Sequence, residues 1–179
     1  MEQDIARILI TREQLDARVR QMAGEIVRAY PGIEEHLTIV TILNGSIIFL
    51  ADLIRYMPVK MRIELVTVSS YPGRTTESAS ARLTREVTAD VTGQDVLIVD
   101  DILDTGKTLR LVSAELARRG PRSIKVATLL RKPSKAPSDV KVDFVGFDIA
   151  DEFVVGYGLD FDNHYRNLPY IAVLAPPRA

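Results

Sequence analysis

Three acids and a small-residue turn stand together near the middle of the chain, in Asp100-Asp101-Ile102-Leu103-Asp104-Thr105-Gly106-Lys107-Thr108. Carboxylates grouped in this way can hold the hydroxyls of a ribose, directly or through a hard cation such as Mg²⁺ that prefers oxygen ligands. Thr105 to Thr108 offer backbone N–H groups, hydroxyls and an ammonium where a helix is expected to begin, which suits a phosphate. Acids beside such a cradle point to a phosphorylated sugar.

These groups need a scaffold that presents them together. Val96-Leu97-Ile98-Val99, just before the acids, is apolar without alternation, the pattern of a strand buried on both faces in a parallel sheet. Open α/β sheets bind ligands outside the carboxyl ends of their strands, and the acids fall at such an end. Beyond the turn, Leu109, Val112 and Leu116 form the apolar stripe of a helix predicted from about Lys107 to Arg119, with Gly120-Pro121 as its stop.

The rest of the chain follows the same grammar. Thr11 with Gln14 matches a capping box, and Leu15, Val19, Met22 and Ile26 repeat at helical spacing until Pro31-Gly32. Leu37 to Leu43 predicts a strand, Asn44-Gly45-Ser46 a tight turn, Ile47 to Tyr56 a covering helix and Met61 to Val68 another strand. Ile124 to Leu130 and Tyr170 to Leu174 read as strands, and Val142 to Ile149 and Phe153 to Tyr157 as apolar, glycine-interrupted segments. The segment Arg131 to Val140, with Pro133 and Pro137, is a loop. Residues Ser69 to Glu86 are rich in small polar side chains, with Leu83 the one strongly apolar aliphatic. A stretch of this length is either a β-ribbon or a functional lid, and a lid is the expectation. Strands alternating with helices predict an α/β domain with a mostly parallel central sheet flanked by helices.

Composition narrows the function classes. The 179 residues are 46% hydrophobic and 26% charged, enough for one domain with a substantial core. A formal net charge of −1 gives no general attraction for nucleic acid or an anionic membrane. No cysteine is present, which excludes disulfides and thiolate zinc sites and fits a reducing compartment. Met1-Glu2-Gln3-Asp4 lacks the basic start of a secretory signal, and no apolar run approaches the roughly 20 residues that span a bilayer. The expectation is a soluble, cytoplasmic protein.

Several familiar motifs fail. Gly106-Lys107-Thr108 looks like the end of a Walker A loop, but Asp101 stands where that loop requires its first glycine. Gly156-Tyr157-Gly158 begins like a dinucleotide fingerprint, but Phe161 takes the place of its last glycine. His36 and His164 are isolated, and the Gly-x-Ser-x-Gly elbow of serine hydrolases is missing.

What survives, the acid-acid-x-x-acid-Thr-Gly-Lys-Thr stretch after a buried strand, resembles the diphosphoribose-binding motif of type I phosphoribosyltransferases, in particular their hypoxanthine-guanine branch. The resemblance runs from about Ile8 to about Ala175. Leu43-Asn44-Gly45-Ser46 lies where that family has its pyrophosphate loop, and Ser69-Ser70-Tyr71 is similar to the start of its mobile lid. Leu129-Leu130-Arg131-Lys132 matches the segment that supplies a purine-contacting lysine. Asp143 to Phe147, Glu152 to Asp160 and Asn163 to Leu168 resemble its C-terminal hood. The resemblance implies a type I phosphoribosyltransferase fold over residues 1–179, with a lid at about 69–86 and a small purine-binding hood mainly from about 131–170.

It also implies a reaction and a set of roles. The family transfers 5-phosphoribosyl from 5-phosphoribosyl-1-pyrophosphate to a 6-oxopurine, giving IMP or GMP and pyrophosphate. Asp100 and Asp101 would hold the ribose hydroxyls, directly or through Mg²⁺, and Asp104 would be the general base near N7. Thr105, Gly106, Lys107 and Thr108 would cradle the 5′-phosphate, and Asn44, Gly45 and Arg166 the pyrophosphate. Ser70 and Tyr71 would belong to the start of the lid. Lys132, Phe153, Val154 and Asp160 would form the purine side, with Asp160 also ligating a second Mg²⁺. A buried ion pair between Asp160 and Arg166 is the structural alternative. The implied partners are the two small-molecule substrates and a second copy of the chain, in a dimer or tetramer, with neither nucleic acid nor membrane. Asn44 departs from the family's frequent lysine, and Asp100 from its frequent glutamate, keeping the charge on a shorter arm. An RNA-binding regulator on the same fold would need a basic face, and the charge balance gives it little support.

Overall fold

The computed structural model describes residues 2–30, 32, 37–70, 81–85 and 87–175. In chain order the elements are β1 (Ile5–Ile10), α1 (Arg12–Arg28), β2 (Leu37–Leu43), α2 (Ile47–Arg55), β3 (Met61–Ser70), β4 (Ala81–Arg85), β5 (Asp95–Leu103), α3 (Lys107–Ala117), β6 (Ser123–Arg131), β7 (Phe144–Asp148), β8 (Val154–Val155) and β9 (Ile171–Leu174).

The unbroken apolar runs become the centre of a six-stranded sheet of order β4-β3-β2-β5-β6-β7. Its pairs are parallel except β3 with β4. Along β5, successive side chains go to opposite faces. Leu97 and Val99 join a core with Leu15, Val19, Met22 and Ile26 of α1 and Phe49 and Leu53 of α2. Val96 and Ile98 join a second core with Leu109, Val112 and Leu116 of α3. A strand packed on both faces has no reason to alternate, and its sequence does not. The acids do not end it: pairing with β6 continues through Asp100–Thr128 to Leu103–Arg131.

The helix start read from Thr11 is present. The Gln14 N–H donates to Thr11 Oγ1 at 3.3 Å, and the Thr11 N–H donates to Gln14 Oε1 at 2.8 Å. Strand β2 and the start of α2 match the predicted bounds, and Asn44 to Ser46 form the turn between them.

Elsewhere the structure adds to the sequence reading. A separate three-stranded antiparallel sheet, β1-β9-β8, carries the first and last strands of the chain. No element is predicted before Thr11. Strand β1 is half-exposed and its register against β9 is broken twice, which blurs any alternation. Within residues 69–86, β4 returns antiparallel to β3, and Leu83 packs beside Val68 against the α3-side core. Tyr71 and most of the expected lid, like His36 and Pro31, lie outside the described residues, as does the side chain of Ser70. Among the described residues no helix is long and apolar enough to cross a membrane.

Candidate active site

The carboxyl ends of β2 and β5 and the start of α3 border one cavity of about 320 Å³. It brings together Asn44, Gly45, Asp100, Asp101, Asp104 and Thr105 to Thr108 with Asp160 and Arg166 from the segment before β9. Chain segments more than fifty residues apart in sequence thus meet where an open α/β sheet is expected to bind its ligand.

Asp100 is buried, and its Oδ1 accepts the Asp101 N–H at 3.0 Å. Oδ1 of Asp101 accepts the Ile102 N–H at 2.8 Å. Burial pushes both carboxyls above the ordinary range, Asp100 well above it because the Asp101 charge adds to the desolvation. At Asp101 the rise is opposed by hydrogen bonds from the Asp100 carboxyl and the Ile102 N–H and by the Arg166 charge. Such a pair gains from a divalent cation or a hydroxyl donor, either of which compensates the missing hydration.

The Asn44–Ser46 turn presses directly on this pair. A Cβ on Gly45 would lie 1.5 Å from Asp101 Oδ2, so no larger residue fits there without moving the acid. The Leu43–Asn44 peptide is cis. Ser46, buried beneath the turn, donates to the Ile42 carbonyl and lies 3.0 Å from Thr41 Oγ1.

Across the cavity, α3 starts from Gly106 in the left-handed conformation, and no side chain among the described residues caps it. Its first-turn N–H groups are therefore free to meet an anion, with the helix dipole favouring negative charge. Arg110 braces the loop, holding Asp139 with two nitrogens at 2.7 and 2.8 Å and donating to the Thr105 carbonyl at 3.4 Å.

Beyond Asp104 the site continues toward the loop after β6. Lys132 is only 7% exposed. Its Nζ lies 3.7 Å from Asp104 Oδ2 and donates to Asp151 Oδ1 at 3.1 Å. The Lys132 N–H donates to the Leu103 carbonyl at 3.0 Å, which fixes this loop to the end of β5. Among the described residues the buried Asp104 Oδ1 has no hydrogen-bond partner. Phe153 is exposed and meets Phe161 edge-on, with ring centroids 5.6 Å apart, while Val154 is buried in β8.

This scaffold is matched by the phosphoribosyl transferase domain over residues 10–162. The chain belongs to the phosphoribosyltransferase family. A hypoxanthine-guanine phosphoribosyltransferase of Mycobacterium tuberculosis is 42% identical over 97% of this chain and 88% of the relative. One of Bacillus subtilis is 39% identical over 98% of this chain and 97% of the relative. The crystal structure of a hypoxanthine phosphoribosyltransferase from Staphylococcus aureus superposes with a TM-score of 0.90 at 38% identity, covering 98% of this chain and 95% of that one.

On this phosphoribosyltransferase scaffold Asp100, Asp101 and Asp160, the acids named for metal, line one cavity, while no group of three His, Asp or Glu among the described residues is placed to hold an ion. Asp160 pairs with Arg166 at 2.7 Å and accepts the Asn163 N–H at 2.8 Å, so the ion pair named as the structural alternative forms, but half-buried rather than buried. Arg166 also donates to the Gly158 carbonyl at 2.7 Å. Mg²⁺ keeps several waters and takes one or two carboxylates together with substrate phosphates, so dispersed oxygen donors fit it and a three-acid cage is not needed.

Sequence reasoning missed Asp151, the hydrogen-bond partner of Lys132, and saw Phe161 only as a missing glycine. Asp151 stands nineteen positions from Lys132, a spacing without local periodicity. Phe161 adjoins Asp160, and the signal available was one more aromatic near the hood.

Proposed function

We propose that the chain transfers the 5-phosphoribosyl group of 5-phosphoribosyl-1-pyrophosphate to a 6-oxopurine, hypoxanthine or guanine, giving IMP or GMP and pyrophosphate in purine salvage. The observation that carries this reading is the shared wall at Asp104. One side is the acid-lined cavity with an uncapped helix start, and the other is a buried lysine 3.7 Å away. The activity named for the relatives of M. tuberculosis, B. subtilis and S. aureus supports it.

In the proposed reaction a purine ring nitrogen bonds to C1 of the ribose as the C1–O bond to pyrophosphate breaks. The transition state is oxocarbenium-like, as in other glycosyl transfers. Asp104 takes the N7 proton, a role suited to its buried oxygen, which has no partner among the described residues. Asp100 and Asp101 orient the ribose hydroxyls. Thr105, Gly106, Lys107 and Thr108 hold the 5′-phosphate, largely through N–H groups and hydroxyls. Asn44, Gly45 and Arg166 receive pyrophosphate, with Asn44 offering an amide where the family often offers a cation. Lys132 donates to the 6-oxo group, Phe153 stacks on the base, and Val154 meets its edge through the backbone. Mg²⁺, held by Asp100 and Asp101 on the ribose side and Asp160 on the pyrophosphate side, would neutralise charge on the leaving group.

The same proposal includes a lid over about 69–86, with Ser70 and Tyr71 at its start, that excludes water. A hood drawn from about 131–170 covers the base, in a cytoplasmic dimer or tetramer. The test is an assay of hypoxanthine, guanine, xanthine, adenine and uracil with 5-phosphoribosyl-1-pyrophosphate and Mg²⁺, comparing kcat/KM. Nucleotide formation from 6-oxopurines is expected, and failure to form IMP or GMP would end the assignment.

A further inference from the structure

We infer that Asp151 is a positioning residue: it holds the Lys132 ammonium toward the 6-oxo group of the base and keeps it from closing onto Asp104. The inference rests on the 6-oxopurine reading above and assigns a partner within that same site.

The geometry is a competition between two carboxylates for one buried ammonium. Lys132 Nζ is within hydrogen-bond distance of Asp151 Oδ1, at 3.1 Å, but 3.7 Å from Asp104 Oδ2, beyond hydrogen-bond range. Asp104 is left with a buried oxygen that has no partner among the described residues. Among the described residues, the nearest carboxylate to Lys132 without Asp151 is Asp104. Closing that gap would turn the ammonium from the base toward the proton acceptor and occupy the carboxylate that must receive the proton. An ammonium has three donors, so the one given to Asp151 leaves others for a ligand.

Asp151 is itself fixed for this task. Its second oxygen, Oδ2, accepts from Lys135 Nζ at 2.9 Å, so two lysines on one turn grip both oxygens. Lys135 and Lys132 together hold the Asp151 carboxyl below the ordinary range, and it stays ionised at neutral pH. The next residue, Glu152, pairs with Arg7 of β1. Two consecutive acids thus tie the loop to the β6 end on one side and to the small sheet on the other, directly before Phe153.

The experiment compares two nucleotides that differ at the purine 6-position. Dissociation constants for IMP and for purine riboside 5′-monophosphate, which lacks the 6-oxo group, are measured by calorimetry on the full chain and on Asp151→Asn, Asp151→Glu and Lys135→Met. The wild type is expected to prefer IMP by about tenfold or more, the scale of one hydrogen bond from a charged donor. Asp151→Asn loses that preference while its affinity for the 6-unsubstituted nucleotide stays within about twofold. Asp151→Glu, which keeps the carboxylate, retains the preference, and Lys135→Met, which removes one of the two grips on Asp151 but not its carboxylate, lowers it less than Asp151→Asn does. A preference undiminished in Asp151→Asn would overturn the inference. Equal weakening of both nucleotides would also overturn it, since that is the mark of a merely structural residue. A wild type that binds neither nucleotide, or both alike, would overturn the 6-oxopurine reading and this inference with it.

Discussion

Gly158 and Gly45 touch through their backbones: a Cβ on Gly158 would lie 2.0 Å from the Gly45 carbonyl oxygen. Gly45 is also pressed against Asp101 from its other side. The Asn44–Ser46 turn is therefore clamped between the acid at the end of β5 and the loop that follows β8. That loop is itself conformationally costly, with Tyr157, Asp162, Asn163 and Tyr165 all at positive φ. It is held by Tyr157, whose hydroxyl donates to Asp52 Oδ2 of α2 at 2.7 Å, and by Arg166 on the Gly158 carbonyl.

Gly158→Ala should loosen this clamp. With φ at +104° and a backbone oxygen in the way, the methyl cannot be absorbed by a rotamer change. Strain and displacement together should cost about 1–3 kcal/mol of stability. Affinity for inorganic pyrophosphate, measured by calorimetry in the presence of Mg²⁺, should fall with it. A variant with unchanged pyrophosphate affinity would separate the turn from the loop energetically.

The contrast between these two glycines and the β5 acids shows what a single sequence carries. Strands β2 and β5 were legible because burial on both faces leaves an unmistakable apolar run, and the α1 start because Thr11 and Gln14 bond locally. The acids and phosphate turn were legible because they are contiguous. Strand β1 was not, since its stability comes from β9, more than 160 residues away, and its own side chains are half-exposed. Asp151 and Gly158 escaped for the same reason. Each matters through one long-range contact, with Lys132 and with Gly45, and a long-range contact leaves no local periodicity.

Asp104→Asn should separate catalysis from folding. The change keeps the shape and removes the proposed proton acceptor, so kcat with hypoxanthine should fall about 10²–10⁴-fold. Stability should not fall with it, because the wild type buries a carboxylate oxygen that has no partner among the described residues, which is unfavourable. The paired readout is kcat and Tm, and a variant that retains turnover would remove Asp104 from the role of base.

At the opposite end of β5, Asp95 offers a pH-dependent contribution to stability that is remote from the chemistry. It is buried and accepts from Arg122 Nε at 3.1 Å and from Ser123 Oγ at 2.6 Å. The Arg122 bond, then Ser123, hold its carboxyl below the ordinary range. A carboxyl with a lowered folded pKa stabilises at pH above its unfolded value, about 4, and that contribution is lost as pH falls through the folded value. Asp95→Asn should therefore lower the denaturant midpoint at pH 7. The loss should be on the order of 1 kcal/mol, because Arg122 is 58% exposed and screened by solvent. The gap between variant and wild type should close below about pH 4, while kcat at neutral pH stays unchanged.

The dispersed acids make a prediction about metal. With no three-carboxylate cage among the described residues, Mg²⁺ alone should bind weakly and leave Tm nearly unchanged at millimolar concentration. Substrate phosphates should complete the coordination, so Mg²⁺ with 5-phosphoribosyl-1-pyrophosphate should raise Tm more than the sum of either added singly. Chelation with EDTA should abolish transfer and return Tm to the value with substrate alone. Asp100→Asn should weaken the joint effect while leaving the apo protein at least as stable at pH 7. The reason is that burial already resists ionisation of that carboxyl, so replacing it with a neutral amide removes an unfavourable charge. A large Tm rise with Mg²⁺ alone would mean that the acids form a preassembled metal site, contrary to their placement around the cavity.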